Sequence, residues 1–595
     1  MQRTITRVLP ISCVGLLLTL AIFLPPFSPA FSETIPPVLL EQQRQQQQEI
    51  DKEAGRRLQA RPEKTRPSVE VLEHVQLLPA GTCQTVQKIW LYGADELSDD
   101  ERSGLFARYL GKCLDNNQLN HIAREIQKWY LDHGYITTRV RIKTPQDSLD
   151  KGNFEIWVFE GRVADIRTVT NTDFDRRRIR SAFPVRPGDV LNIRDLDQGL
   201  EQLNRLFSQK FRMRIQPSER PGYSDVILTE IPPTGIQRPK GEAGRHKGRQ
   251  KLDYQMNNSG IPATGEVLHQ IELNRDNLLG YNDAITAAWQ RNLDYDPKAR
   301  ASETWRLAAS MPWGYNLFRI SYYQGRTVRT IPGTNIVFTS SNRIRTSTLS
   351  ASRVLNRRQD RKIEANTSIE YSQRENFIND TLIEVSSRDI ASVDLGLVMT
   401  RYFRSSSLLL SGSLVQGVPW FGALSDPASH PADSPSAEYT LVKIYGYYSK
   451  NFSFNRTGSA NFLSAVTAQY SNLPLYGEKQ IVVGGEYSVR GYKENVAAGD
   501  DGWYIRNDLT LTPGRWFGHN FFSPVQMRIF LDLGSANEKI SGRKTLLSGA
   551  GFGLEYTNRW LRARISAAKP LTASSGFDYE NKWILYASIG ANVIF

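Results

Sequence analysis

The last thirteen residues of the chain, 583–595, read WILYASIGANVIF, and this stretch decides the fold. Apolar side chains alternate along it with polar or small ones, with the period of two that a β-strand requires. One face carries Trp583, Leu585, Ala587, Ile589, Ala591, Val593 and Phe595, and the other carries Tyr586, Ser588, Gly590 and Asn592. Alternation of this kind over about ten residues is typical of a transmembrane barrel strand, apolar outside and polar inside. The stretch therefore predicts that the chain ends in a barrel wall.

The same alternation recurs upstream, from about residue 251 onward. Apolar side chains alternate with polar neighbours in two further clear examples, Trp305, Leu307 and Ala309, and Ile363, Ala365, Ile369 and Tyr371. Turns rich in Gly, Asn, Asp and Pro separate such segments, and we predict sixteen antiparallel strands in 251–595, eleven before Ser471 and five after Gly502. The even number lets both ends meet on the periplasmic side. A soluble sandwich also alternates, but it does not need such long, polar-lined strands in series.

The N-terminus carries an export signal. Arg3 and Arg7 precede an apolar run from Ile11 to Phe23, and Ala30-Phe31-Ser32 fits a small-x-small cleavage site. We predict a secretory signal peptide over residues 1–32. The alternative is an uncleaved anchor helix, which is disfavoured because the apolar run is short and two prolines interrupt it.

Composition narrows the classes of function. The chain has 595 residues, of which 40% are hydrophobic and 23% are charged. This is the composition of a folded protein and not of an intrinsically disordered one. The net charge of +13 is a mild excess, and the charges alternate along strands and collect in linkers, which does not indicate nucleic-acid binding. No run of 18 apolar residues follows the first 30, which excludes helical membrane spans there.

No motif in the sequence indicates catalysis, a metal or a cofactor. The patterns GxSxG, HExxH, CxxC and the P-loop are absent, and the seven His are scattered. Gly549, Gly551 and Gly553 form a GxGxG pattern within a strand, where glycines more often make room for a packed loop or an aromatic ring. Removal of the predicted signal peptide during export leaves two cysteines in the mature chain, Cys83 and Cys113. They either form a disulfide or remain two separate thiols.

The part of the chain before the barrel divides into several segments. These are a Gln-rich helix over 33–58, a linker over 59–74, two small α+β units over 75–161 and 162–232, and a basic linker over 233–250. Each α+β unit has the order strand-helix-helix-strand-strand, and the first has a helical stretch that ends at Cys113. The Gln-rich helix has only a thin apolar stripe, so it is either an unsupported coil or a helix inside a wet, polar cavity.

One long loop, Asn472 to Gly499, lies between good strands and contains Arg490. An external loop tip would tolerate these residues. An Arg between an aliphatic residue and Gly-Tyr nevertheless indicates docking inside the barrel, where a buried charge needs a carboxylate partner. Asp532 is the best candidate, because strand parity places it on the inner face together with Phe530 and Gly534. Gly534 would leave space for the loop.

At these residues the chain resembles the two-partner secretion transporters, the haemolysin and adhesin secretion/activation proteins of the bacterial outer membrane. Val489-Arg490-Gly491-Tyr492 resembles the family signature in the sixth extracellular loop, and Phe530-Leu531-Asp532-Leu533-Gly534 resembles its partner in the barrel wall. The segments that resemble two POTRA domains, periplasmic polypeptide-transport modules, are Gly134–Thr137, Phe154–Ile156, Glu160-Gly161, Phe183-Pro184, Gly188–Asn192 and Asp195–Leu200. Cys83 and Cys113 match a Cys pair of the first POTRA domain in many members.

The resemblance implies a 16-stranded transmembrane antiparallel β-barrel, preceded by two periplasmic α+β POTRA domains and an N-terminal plug helix. The POTRA domains would bind the amino-terminal secretion domain of one large β-helical exoprotein (a haemolysin, adhesin or contact-dependent toxin), which crosses the pore unfolded and without ATP. The loop and the wall would form a conformational latch, not a catalytic pair, from Val489, Arg490, Gly491, Tyr492, Phe530, Asp532 and Gly534. Phe595 resembles the signal that the barrel-assembly machinery reads, and outer-membrane lipid is the other expected partner.

Three other interpretations share parts of the pattern. A barrel-assembly insertase of the same superfamily has the loop motif and POTRA domains, but it usually has three or more of them and lacks the Gln-rich helix. A plugged solute porin would have the barrel, but its function does not require the two α+β units that precede it. An outer-membrane enzyme needs a Ser/His or paired-acid site at the barrel edge, and none stands out in the sequence.

Overall fold

The structure, a computed structural model, describes residues 37–59, 83–144, 146, 149–170, 172–231, 249–333, 336–431, 433–454, 458–493, 496–513, 525–572 and 582–595. The predicted signal peptide (1–32) and nearly all of the two predicted linkers (59–74 and 233–250) lie outside these residues. Among the described helices, none combines the length and the apolar character needed to cross a membrane.

The first described element is helix α1 (Pro37–Gln59), which is rich in glutamine and other strong helix formers. Its 23 residues span about 35 Å at 1.5 Å per residue. Arg56 and Arg57 lie in its last turn, where cations interact favourably with the helix dipole. Val38 and Ala54 pack against strands of the barrel wall, so the helix lies inside the barrel.

The first α+β unit packs two helices against a three-stranded sheet. Its elements are β1 (Gln84–Val86), β2 (Lys88–Tyr92), α2 (Asp99–Phe106), β3 (Lys112–Leu114), α3 (Asn116–His133), β4 (Arg139–Ile142), a 3-10 turn (Leu149–Lys151) and β5 (Asn153–Phe159). The sheet order is β2-β5-β4, which leaves β2 at an edge. Capping boxes at Ser98 and Asp115 begin the two helices.

The prediction of a helical stretch that ends at Cys113 is wrong in its last part. Helix α2 ends at Phe106, and Lys112–Leu114 instead pairs with β1 as a short two-stranded sheet. A disulfide joins Cys113 to Cys83 across the two segments that form this sheet. Cross-strand pairing therefore overrides the local helix propensity of these residues.

The second α+β unit repeats the order strand-helix-helix-strand-strand. Its elements are β6 (Arg162–Thr168), α4 (Asp173–Ala182), α5 (Ile193–Asn204), β7 (Lys210–Pro217) and β8 (Tyr223–Ile231). The sheet order is β6-β8-β7, with β6 and β8 parallel. Its core is a single cluster of buried apolar side chains that includes Phe183, Leu196 and Phe211.

Sixteen described strands form a closed antiparallel barrel, as predicted. They are β9 (Gln250–Asn257), β10 (Leu268–Asp276), β11 (Ala284–Asn292), β12 (Arg300–Trp313), β13 (Asn316–Pro332), β14 (Val337–Arg357), β15 (Arg361–Ile378), β17 (Arg388–Tyr402), β18 (Ser406–Val418), β19 (Thr440–Ser453), β20 (Gly458–Ser471), β23 (Asp501–Pro513), β24 (Val525–Asn537), β25 (Lys544–Thr557), β26 (Leu561–Pro570) and β27 (Ile584–Ile594). Three short strands, β16 (Thr381–Leu382), β21 (Ile481–Val483) and β22 (Ala497–Gly499), and two 3-10 turns (Glu384–Ser386 and Trp420–Gly422) lie between them. Antiparallel pairing of β27 with β9 closes the wall.

Alternation along the strands separates an apolar outside from a polar inside. On β27, the side chains of Leu585 and Val593 are about half exposed at the outer surface, whereas Tyr586 is buried. On β12, Trp305 faces outward and Thr304 is buried in the lumen, where it contacts α1. Apolar side chains of the wall thus face the lipid, and side chains that form hydrogen bonds face the lumen.

Candidate functional site

The loop between β20 and β23 is folded into the barrel. Its two short strands, β21 and β22, pair as an antiparallel hairpin that contacts β23 and β24 of the wall. The loop and wall share one buried apolar cluster, which consists of Ile481, Val483, Val489, Tyr492, Ala497, Tyr504, Ala536 and Leu547. The predicted residues Val489 and Tyr492 belong to this cluster, and the Tyr492 hydroxyl donates to the backbone carbonyls of Ser548 (3.1 Å) and Thr572 (2.7 Å).

Arg490 of this loop is buried against two carboxylates of the wall. Its Nε and Nη2 donate to the two carboxylate oxygens of Asp532 at 2.6 and 2.7 Å, and its backbone N–H also donates to Asp532 at 3.0 Å. Its Nη1 donates to Asp508 at 2.8 Å, and the guanidinium lies 3.8 Å from the centre of the Phe530 ring. This bidentate, stacked arrangement uses almost every binding mode of an arginine side chain.

Glycines of the wall provide the space into which the loop fits. A Cβ atom at Gly549 would lie 1.7 Å from the Arg490 carbonyl oxygen, and one at Gly534 would lie 2.7 Å from Val483. A Cβ atom at Gly551 would lie 2.5 Å from the Phe530 ring. Gly491 has a φ of +107°, a backbone conformation that side chains disfavour, and it passes close to the backbone of β26. The GxGxG pattern therefore makes room for a loop and a ring.

Helix α1 is held in the lumen by many single hydrogen bonds and by ion pairs with Arg306, Glu364 and Arg506 of the wall. The hydrogen bonds include Gln42 to Thr346 (3.2 Å), Gln45 to Thr304 (2.8 Å), Gln47 to Tyr447 (3.3 Å), Tyr504 to Gln47 (2.7 Å) and Gln290 to Glu41 (2.6 Å). The amide groups of glutamine both donate and accept, so they match a wall of hydroxyls and amides. The Gln-rich composition is thus explained by the polar surface that the helix faces.

The helix also contacts the loop directly. The Gln43 side chain donates to the Gln480 carbonyl at 2.7 Å, and the Gln48 side chain donates to the Tyr487 hydroxyl at 2.6 Å. Arg506 of β23 joins the two elements, because it donates to Asp51 of the helix at 2.8 Å and to the Tyr487 carbonyl at 2.9 Å. Helix, loop and wall therefore form one connected assembly inside the pore.

Sequence reasoning identified Arg490 and Asp532 but missed the second carboxylate, Asp508. The signal was available in part, since Tyr504, Arg506 and Asp508 share one face of β23. Whether Asp508 reaches Arg490 depends on the register between β23 and β24. In this register, Arg506 lies opposite Asp532 and Asp508 lies opposite Phe530 on β24.

The second α+β unit is docked on one rim of the barrel. The Gly314 carbonyl, in the turn between β12 and β13, accepts from Gln198 (3.2 Å) and Gln202 (3.4 Å) of α5. The Gly314 N–H donates to the Ser181 carbonyl at 2.8 Å. These contacts show which rim of the barrel faces this α+β unit.

An ion-pair chain runs from this unit to the end of α1. Glu201 of α5 lies 2.6 Å from Arg357 and 2.7 Å from Lys362. Lys362 also lies 3.4 Å from Glu364, which binds Arg57 of α1 at 2.5 Å. Burial raises the pKa of Glu201, but the charges of Lys362 and Arg357 outweigh it and lower this pKa to about 2. Glu201 is therefore an ionised carboxylate between two cations.

The remaining predicted residues lie at the two ends of the chain. The disulfide between Cys83 and Cys113 lies at the start of the first α+β unit. Phe595 exchanges backbone hydrogen bonds with Gln250 at 2.9 and 3.0 Å, which continues the seam between β27 and β9, and its side chain is exposed. Within the described part of the chain, no group of three or more His, Cys, Asp or Glu could hold a metal ion.

Comparison with known proteins covers nearly the whole chain. Residues 84–161 match the POTRA domain of ShlB type, 162–217 match a POTRA domain, and 242–556 match the family described as haemolysin secretion/activation protein ShlB/FhaC/HecB. These matches coincide with the two α+β units and with most of the barrel. The POTRA assignment and the 16-stranded barrel agree with the fold expected from the sequence.

Individual relatives are similar over most of their length. The outer membrane transporter CdiB of Dickeya dadantii (strain 3937) is 29% identical over 560 residues, which are 91% of this chain and 92% of the relative. The outer membrane transporter CdiB of Escherichia coli O6:K15:H31 (strain 536 / UPEC) is 31% identical over 536 residues, or 89% and 86% of the two chains. The solved structure of CdiB from Escherichia coli has a TM-score of 0.80 at 27% identity and covers 94% of this chain and 100% of its own.

The matches and the architecture agree on the location of the protein. The barrel lies in the outer membrane, and the POTRA domains that precede it lie in the periplasm. The chain belongs to the haemolysin secretion/activation protein family ShlB/FhaC/HecB.

Proposed function

We propose that the chain exports one dedicated large exoprotein across the outer membrane by two-partner secretion. The observation that carries this proposal is the content of the lumen: a polar helix lies inside the closed barrel and is held by hydrogen bonds of glutamine side chains and by partly exposed ion pairs. A plug of this kind suits a pore that passes a polypeptide and otherwise stays shut. The relatives, named as outer membrane transporters, support the same function.

In this proposal, the first POTRA domain captures the amino-terminal secretion domain of the exoprotein. Its strand β2 is an edge strand of the described sheet, so an extended segment can add to it through backbone hydrogen bonds. Four exposed aromatic side chains lie on β2 and β5, namely Trp90, Tyr92, Trp157 and Phe159. Exposed aromatic patches on soluble domains mark interaction sites, and this one supports capture beside the open edge.

Arg490 and Asp532 act, in this proposal, as a conformational latch between the loop and the wall. Val489, Gly491, Tyr492, Phe530 and Gly534 complete the latch through the contacts described above. The buried, charge-assisted pair orients the loop within the lumen while α1 leaves and the exoprotein passes. A latch of this kind has no reacting atoms.

The chain carries its cargo and is not an enzyme under this proposal. It uses no cofactor or metal and binds no nucleic acid, and folding of the β-helical exoprotein outside the cell supplies the forward bias in place of ATP. The barrel-assembly machinery inserts the barrel and reads the final strand with its terminal Phe595. Outer-membrane lipid surrounds the apolar wall.

Co-expression with the large secreted protein encoded beside this chain tests the proposal. We expect that protein to appear outside the cell only when this chain is present, and export to fail when its amino-terminal domain is removed. Export that is indifferent to this chain, combined with loss of other outer-membrane barrels on its depletion, would overturn the proposal in favour of an insertase.

A further inference from the structure

A row of five charged side chains and one histidine crosses six barrel strands at the rim opposite the POTRA domains. Each residue of the row lies directly opposite the next one on the neighbouring strand. In order, they are His269 of β10, Arg291 of β11, Glu303 of β12, Arg326 of β13, Arg343 of β14 and Glu375 of β15. The POTRA-bound turn at Gly314 marks the periplasmic end of β13. Arg326 lies about 33 Å along the strand from Asn316, which begins β13 beside that turn, so the row lies near the extracellular rim.

The row faces outward, toward lipid. On β14, Ile344 packs against Val38 of α1 and Thr346 binds Gln42, so these two residues face the lumen. Arg343 and Arg345 alternate with them and therefore face outward.

The outer surface changes character from this row toward the periplasm. Two residues deeper along the strands, Trp289, Trp305, Gln324 and Arg345 form the next row. Farther down, Leu307, Ile320 and Leu349 expose more than half of their surfaces. A charged row, then a row with two tryptophans, then an apolar band is the order of a membrane surface, from headgroups to hydrocarbon.

Arginines outnumber carboxylates on this part of the wall. Arg343 and Arg345 share one partner, Glu375, at 3.3 and 3.6 Å. Arg326 donates to the Pro297 carbonyl at 3.4 Å, which brings no charge. Three guanidiniums on two neighbouring strands thus face the headgroup level beside two carboxylates, Glu375 and Glu303, the second of which lies opposite Arg326.

At the headgroup level arginines cost little, about 0–1 kcal/mol, and the phosphate groups of lipids are the anions that meet them there. On the described strands β18 to β20, the outward residues near the same rim are uncharged and include Gln416, Thr440 and Tyr470. The arginine cluster therefore has no counterpart on these three strands.

We propose that Arg326, Arg343 and Arg345 form a binding site for the phosphate groups of a phosphorylated glycolipid in the outer leaflet. The planar guanidinium binds phosphate oxygens in a bidentate manner, and the adjoining Trp305 supplies an amphipathic surface at the same depth. The acyl chains of the lipid lie along Ile320 and Leu349 below the arginines. The site orients one face of the barrel toward this lipid, and it does not depend on which exoprotein is exported.

Native mass spectrometry of the full chain, purified in detergent, tests this site. The probes are bis-phosphorylated lipid A, its monophosphoryl form and phosphatidylethanolamine. The variant R326Q/R343Q/R345Q is compared with R353Q, which removes an exposed outward arginine of the same strand β14 at the periplasmic rim.

We expect the fraction of protein that retains lipid A to fall about fivefold in the triple variant and to stay unchanged in R353Q. Monophosphoryl lipid A should bind the original protein less well, and phosphatidylethanolamine least. The conservative variant R326K/R343K/R345K keeps the charges, loses the planar forks and should give an intermediate value. Equal retention of lipid A by the original protein and the glutamine variant would overturn the proposal, as would equal retention of lipid A and phosphatidylethanolamine.

Discussion

The loop and the helix occupy the same lumen but are held in opposite ways. The loop is attached by a dry apolar cluster, by three hydrogen bonds to the fully buried Asp532, and by glycine positions that admit its backbone. Helix α1 is attached by a series of single hydrogen bonds and by small apolar contacts near its two ends. It also forms ion pairs with the wall through Glu49, Asp51 and Arg57, whose side chains are 20–48% exposed.

This difference indicates which element moves. Single hydrogen bonds between neutral groups contribute about 1 kcal/mol each, and ion pairs that water reaches contribute about 0–1 kcal/mol, because water replaces both when the partners separate. A buried ion pair that loses one partner costs about 3–5 kcal/mol, because an unpaired charge remains behind. The helix can therefore leave into water in small steps, whereas the loop is attached to the wall. Opening should begin at α1.

The largest expected effect comes from breaking the attachment of the loop. Replacing Arg490 with methionine leaves Asp532 buried without its cation, and Asp532→Asn removes the charge that Arg490 requires. Destabilisation of about 3–5 kcal/mol predicts at least a tenfold loss of exoprotein secretion, measured as extracellular product. The barrel itself should still assemble, because its interstrand ladder does not use these side chains.

Asp508→Asn is the matched control for this prediction. Arg490 keeps all three of its contacts with Asp532 in that variant, so secretion should fall much less. Heat-modifiable migration in gels reports whether the barrel is folded. If Arg490→Met and Asp532→Asn both lose the folded barrel, the pair is structural and is not a latch.

Removing the helix is the second way to sharpen the comparison. Deletion of residues 36–58 should raise single-channel conductance in planar bilayers several-fold, because a helix about 10 Å across no longer occupies the lumen. Lys52→Ala is a suitable control, since this side chain of α1 is nearly half exposed and should leave conductance unchanged. An unchanged conductance in the deletion variant would mean that α1 does not obstruct the pore in the membrane.

A methyl group placed under the loop is a milder disturbance than loss of its ion pair. Gly549→Ala puts a Cβ atom 1.7 Å from the Arg490 carbonyl oxygen, so the loop must shift. Overpacking of this kind costs about 1–3 kcal/mol, and we expect secretion to fall about threefold. Gly412→Ala is the matched control, because nothing lies within 4 Å of the Cβ atom that it adds to the barrel wall. Equal secretion by the two variants would show that the loop does not depend on this close fit.

The number of barrel strands and the inward position of Asp532 could be predicted from the alternation within single strands. Each barrel strand has one lipid face and one wet face, so a period of two reveals the strand count, and parity alone places Asp532 inside. Asp508 could not be assigned in this way, because its contact with Arg490 depends on the register between β23 and β24. The orientation of α1 was equally hidden. A helix with polar residues on nearly every side has no apolar stripe that indicates which face meets the wall.

The smallest expected effect concerns the link between the POTRA domains and the helix. Glu201 holds Lys362, and Lys362 lies 3.4 Å from Glu364, the partner of Arg57 at the end of α1. Glu201→Gln frees Lys362 to compete with Arg57 for Glu364, which should weaken the attachment of the helix and raise the open probability of single channels about twofold. A movement of the POTRA domains that withdraws Glu201 would have the same effect on α1.

The charge of Glu201 decides how this effect depends on pH. Because its pKa is lowered from 4.5 to about 2, its contribution to stability is complete above pH 4.5 and is lost only as the pH falls toward 2. Acidification to pH 5 should therefore not reproduce the open probability of Glu201→Gln. Glu219→Gln makes the same substitution at an exposed position of the same domain, and it should leave the channel unchanged. If the two variants open equally often, the ion-pair chain does not couple the POTRA domain to the plug, and release of α1 depends on its contacts inside the lumen alone.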